Sequence, residues 1–128
     1  MSRPSSRWCL LAALALWGQG CEQRSAQGDK PEQAKEAVRR FFAALPSGDC
    51  AVLGRMILSD PPGRECRSVV DELNRHGVRL VEVLDAQVDG RNADAVIVRA
   101  RMSEGSKPKD APSLYRVEKH PSGWKLRL

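Results

Sequence analysis

The chain has 128 residues, with 21 Lys and Arg against 16 Asp and Glu for a formal net charge of +5. This length suits one small domain rather than two. The basic residues are interspersed with acids, only Arg39 and Arg40 being adjacent, and six aromatics in all leave no basic stripe with stacking rings, which excludes a nucleic-acid-binding surface.

The opening segment carries Arg3 and Arg7 and no acid, and the apolar run Trp8 to Trp17 follows. A positive end, a short apolar stretch and small residues before a cleavage point form the three-part export signal. Ten apolar residues are about half of the roughly 20 that a helix needs to cross a bilayer. Residues 1–20 are therefore expected to be a removable signal. Without Arg3 and Arg7, 19 basic residues face 16 acids, a mature net charge of about +3.

Gly18-Gln19-Gly20-Cys21 closes that segment. It resembles the lipobox of bacterial lipoproteins, in which a small residue precedes a cysteine that receives diacylglycerol. Gly18 stands where the family usually has leucine, and ordinary secretion with the same cut stays open as the alternative. The resemblance implies lipid attachment at Cys21 and a place in the cell envelope. Glu22, by likeness to enterobacterial sorting, points to the outer membrane with the domain facing the periplasm. Residues 21–30 are polar and lack periodicity, as expected of a flexible tether.

The domain is expected over 31–128. Asp29, Pro31 and Glu32 carry the marks of a helix start. Ala34, Ala37, Val38, Phe41, Phe42 and Leu45 then form one apolar stripe, and Pro46-Ser47-Gly48 ends it. Asp49 is placed to cap a second, shorter helix with Cys50, Leu53 and Ile57 on one face, and Ser59 to Gly63 is a breaker. Cys66, Val69, Val70 and Leu73 mark a third helix, closed by a left-handed Gly77. Beyond it the period becomes two. Val78 to Val88 and Ala93 to Met102 read as a hairpin, with Val96, Val98, Ala100 and Met102 inward. A polar loop over 103–112 precedes strands Ser113 to Lys119 and Trp124 to Leu128. The expectation is an α+β domain with three helices packed on a curved four-stranded antiparallel sheet.

That order, with Val38-Arg-Arg-Phe41-Phe42-Ala-Ala-Leu45, Ser47-Gly48-Asp49 and the closing Ser122-Gly123-Trp124-Lys125-Leu126, resembles the nuclear transport factor two-like (cystatin-like) fold, in particular small domains of unknown function behind lipoprotein signals. The resemblance implies a bent sheet wrapped round the first helix into a cone whose open end is often a pocket. Phe41, Tyr115 and Trp124 are the residues expected at such a pocket. Fold alone does not settle function.

An isomerase or polyketide-cyclase site needs a carboxylate base and an oxyanion holder in an apolar cavity. Tyr115 with Glu82 or Asp85 would supply them, but a strand shows only alternate residues to one face, so both acids cannot face a cavity without a bulge. His76 and His120 have no partner at metal-ligand spacing, and no serine lies in a nucleophile elbow. No metal, cofactor or catalytic residue is expected. The leading expectation is a non-catalytic, membrane-tethered domain that binds a small apolar molecule or an envelope protein. A lyase or isomerase and a dimerising structural module are the alternatives.

Once Cys9 leaves with the signal and Cys21 takes lipid, Cys50 and Cys66 are the remaining thiols in an oxidising compartment, which predicts a disulfide between them. A pair of small buried hydrophobes is the competing reading. In a tight helical hairpin Cys50 would face the far end of the third helix, so the bond requires the chain to be carried back.

Overall fold

A computed structural model of the chain describes residues 29–58 and 64–128. The expected signal, Cys21, most of the expected tether and the Ser59 to Gly63 segment lie outside the described residues. Helix α1 (Lys30–Ala44) begins within the span expected to be tether, with Pro31 in its first turn. The Asp29 side chain makes no capping bond; its carbonyl accepts the first helical hydrogen bond, from the Gln33 N–H at 2.8 Å. A 3-10 turn (Leu45–Ser47) follows, and Gly48 reverses the chain at φ 66°, in the region glycine enters without steric cost.

Helix α2 (Cys50–Leu53) is a single turn capped as expected, with the Ala51 N–H donating to Asp49 Oδ1 at 3.0 Å. It stops well short of Ile57. That residue belongs instead to strand β1 (Ile57–Leu58), which pairs in parallel with the last strand. Helix α3 (Cys66–Arg75) ends at His76 and Gly77, the latter at φ 62°. The Gly77 carbonyl accepts from the Gly105 N–H at 3.0 Å, which pins the end of α3 to a distant turn.

Strands β2 (Val78–Asp89) and β3 (Asn92–Glu104) form the expected hairpin across Gly90-Arg91. The supposed loop 103–112 holds a two-residue strand β4 (Lys107–Pro108), paired with β3. β5 (Ser113–His120) and β6 (Gly123–Arg127) complete the sheet, whose order is β1-β6-β5-β3-β2. The fold is α+β, but the sheet is mixed and six-stranded rather than four-stranded and antiparallel. The two additional strands are two residues each, too short to show alternation in sequence.

The helices also do not pack as three equal elements. α1 lies along the sheet, touching β2, β3, β5 and β6, while α2 packs against α3 and α1. Ala34, Val38, Phe41 and Phe42 of α1 meet Val96, Val98, Ala100, Met102, Val117 and Leu126 of the sheet, and all are buried. The inward alternation of β3 is therefore as expected, as is the shared face of Trp124, Leu126 and Leu128, which all pack on this core. Register shifts in β2 at Leu80/Glu82 and Val83/Asp85 mark bulges, which bend and twist a strand locally.

Cys50 and Cys66 are joined by a disulfide with α-carbons 6.1 Å apart, inside the span such bonds require. The geometric objection disappears because α2 has one turn. Each cysteine is the first residue of its helix, so no pair of long helices forces them to opposite ends. Asn74 Nδ2 adds a 2.9 Å hydrogen bond to the Leu45 carbonyl, fixing α3 to the end of α1.

Candidate functional site

The three residues expected at a pocket do not converge on one cavity. Phe41 is wholly inaccessible, its ring edge-on to Phe42 with centroids 5.0 Å apart. Tyr115 lies opposite Val98 in the sheet and meets Phe42 at 5.4 Å. Burial pushes the Tyr115 phenol above its ordinary value, partly opposed by a hydrogen bond with Ser113. A raised phenol stays neutral at physiological pH, so Tyr115 is a donor in an apolar setting, but no carboxylate accompanies it.

Glu82 and Asp85 are on the other side of the sheet. Glu82 pairs with Arg101 and Asp85 with Arg99 in register, alternating with Ala100 and Met102, which face the core. The bulge at Val83/Asp85 does put both acids on one face, but it is the face away from α1. There each meets an arginine across the strands, Asp85 to Arg99 at 2.6 Å and Glu82 to Arg101 at 3.6 Å. Farther along, Arg116 bonds Asp89 at 2.5 Å, and Glu118 lies 2.5 Å from Arg127 and 3.5 Å from Arg116. The Asp89 carboxyl is held below its ordinary value first by the Arg91 backbone N–H and then by Arg116; Glu118 is lowered chiefly by its hydrogen bond from Arg127. These are ion pairs of a solvated sheet face. His76 is exposed at the end of α3, and the buried Nε2 of His120 has no hydrogen-bond partner among the described residues. No cluster of three metal-ligating side chains occurs among the described residues.

Trp124 opens onto a groove, which neither Phe41 nor Tyr115 lines. This trough of about 380 Å³ is lined by Gln33, Glu36, Ala37 and Arg40 of α1, by Arg55 and Met56, and by the turn and first residues of β6. The α1 residues recur at 0, 3, 4 and 7, one stripe of a helix beside the buried one. Arg55 and Met56 arrive because the Leu126 N–H donates to the Met56 carbonyl at 2.8 Å, seating the chain beside β6. The Trp124 indole N–H donates to Gln33 Oε1 at 2.9 Å, fixing the ring against α1.

No protein-family model, curated protein or solved structure matches this chain. The groove was not foreseeable from local sequence. The polar stripe on α1 is visible there, but its meeting with Arg55 and Trp124 depends on the parallel pairing of β1 with β6. A second trough of about 450 Å³ lies on the far flank of α1, between Arg39, Phe42, Pro46 and the start of β2 at Val78 to Leu80.

Proposed function

We propose that the chain is an envelope lipoprotein, anchored through Cys21, whose residues 31–128 form a nuclear transport factor two-like domain that binds another envelope protein without catalysing a reaction. The observation that carries the non-catalytic part is the filled concave side of the sheet. The described residues contain sixteen buried hydrophobic side chains and no buried polar or charged one. An isomerase-type site needs a base and an oxyanion holder converging in an apolar cavity. Here Tyr115 is on the α1 face, whereas Glu82 and Asp85 are on the opposite one. A protein partner is preferred to a small apolar ligand because small ligands are enclosed by pockets, and the two troughs described above are open and lie beside α1.

The bulged β2 and the position of α1 across the sheet support the cone-like arrangement. The disulfide supports an oxidising compartment. Self-association through the outer sheet face is a second reading, favoured by Leu114, which is 66% exposed there. Cross-linking in intact envelopes, followed by native mass spectrometry of the extracted protein, tests the proposal. It expects a covalent adduct with one or a few envelope proteins and no stoichiometric small molecule. A tightly copurifying apolar metabolite, or homodimers alone, would overturn it.

A further inference from the structure

The trough along α1 is lined by both apolar and cationic side chains. Ala37, Met56 and the Trp124 ring are the apolar ones, and Arg40 and Arg55 supply two guanidinium groups. One carboxylate, Glu36, also lines it, but Glu36 is already shared between Arg40 at 3.4 Å and Arg39 at 3.6 Å. Arg55 is exposed and makes no ion pair with any described residue. The trough thus holds more positive than negative charge, on side chains whose forked geometry suits carboxylates. Trp and Arg are also the residues that dominate binding energy at protein interfaces, and Met adapts to varied apolar partners.

Shape narrows the occupant. Gln33 to Arg40 spans about 10 Å of helix at 1.5 Å per residue, the length of roughly three residues of extended chain. The groove is concave, whereas a membrane surface would meet a protruding or flat basic face. We propose that this trough is a docking site for a short extended segment of a partner protein, one apolar side chain seated on Trp124 and Met56 and a neighbouring Asp or Glu held by Arg40 and Arg55. This rests on the protein-binding reading above and adds to it the site and the chemistry of the partner.

The test titrates the full-length 15N-labelled chain, disulfide intact, with acetyl-Gly-Leu-Phe-Asp-Glu-Gly-amide, following the Trp124 indole N–H by NMR. Saturable shifts at Trp124 are expected. Replacing Asp-Glu by Asn-Gln in the peptide should weaken binding about tenfold, as should Arg55→Gln, in line with the loss of a charge-assisted hydrogen bond. Combining the two changes should cost little beyond either alone, the mark of a direct pairing. Arg55 is exposed, so its variant is expected to fold, and Arg40→Gln serves as an independent second. Equal binding of the neutral peptide would overturn the proposal, as would unmoved Trp124 at millimolar peptide. So would a response of Trp124 only to vesicles of 30% phosphatidylglycerol in phosphatidylethanolamine, which would make the surface a lipid contact. If envelope cross-linking finds a partner while peptides leave Trp124 unmoved, the trough assignment falls and the protein-binding reading stands. If no partner cross-links, that reading itself falls.

Discussion

Replacing Phe41 by Ala should remove a large share of the stability of the domain. Its side chain is fully buried beneath the sheet, edge-on to Phe42, and lines neither of the two troughs beside α1. Deleting such a ring costs about 3–5 kcal/mol, transfer and cavity together. A domain of about 100 residues has roughly 5–15 kcal/mol in total, and each kcal/mol moves Tm by about 4–8 °C at this size. The expected loss is therefore about 12–40 °C in Tm. Urea unfolding measures it directly, with Trp124, the one tryptophan beyond residue 17, as the fluorescent reporter. The urea dependence should keep its slope while the midpoint falls. A loss below about 1 kcal/mol, typical of an exposed site, would refute the placement of α1 on the sheet.

Three further outcomes follow from the same geometry. Reducing the disulfide, or Cys50→Ala with Cys66→Ala, should lower stability by about 3 kcal/mol, the chain-entropy value for a closed loop of this length; reductant that leaves the urea midpoint unchanged would contradict the bond. Glu118 has its folded pKa below the ordinary 4.5 because Arg127 bonds it. Its contribution is present above the unfolded pKa and lost as pH falls through the folded one. Glu118→Gln should accordingly flatten the loss of stability below about pH 4.5, and an identical acid limb in both proteins would exclude the pair. Tyr115 is the only tyrosine, and its phenol is raised above 10.0 by burial. Absorbance near 295 nm should thus titrate later in the folded protein than in urea, with stability falling as pH rises through the unfolded value; coincident curves would place the ring in solvent.

Elements whose signal is carried by periodicity were legible in the sequence. The α1 stripe, the inward residues of β3 and the turn between β2 and β3 all repeat local patterns that survive packing. Capping was legible where one side chain meets one N–H, as at Asp49, and where only glycine fits, as at Gly77. It failed at Asp29, whose side chain makes no capping bond and where Pro31, two residues on, has no N–H to offer one. The short strands β1 and β4 were missed because two residues carry no period, and their pairing is decided by the distant strands β6 and β3. The disulfide followed from cysteine count and compartment, while its geometry depended on the brevity of α2. The expected pocket mixed residues of different placement: Phe41 and Tyr115 pack against Phe42, and Trp124 lines the groove beside α1. Glu82 and Asp85 show the limit of strand alternation, since a bulge can align two acids on one face, and the burial of Val98, Ala100 and Met102 against α1 leaves that face to solvent.

The central claim, a domain exported and held at the membrane by its own Cys21, is tested most directly by intact mass spectrometry of the protein extracted from its native membrane. The account predicts a chain beginning at Cys21, heavier by a diacylglyceryl group and lighter by the two hydrogens of the Cys50–Cys66 bond, with Cys21→Ser abolishing the lipid mass and the membrane association. A chain that still begins at Met1, or one cut before an unmodified Cys21 and recovered free of membrane, would contradict it.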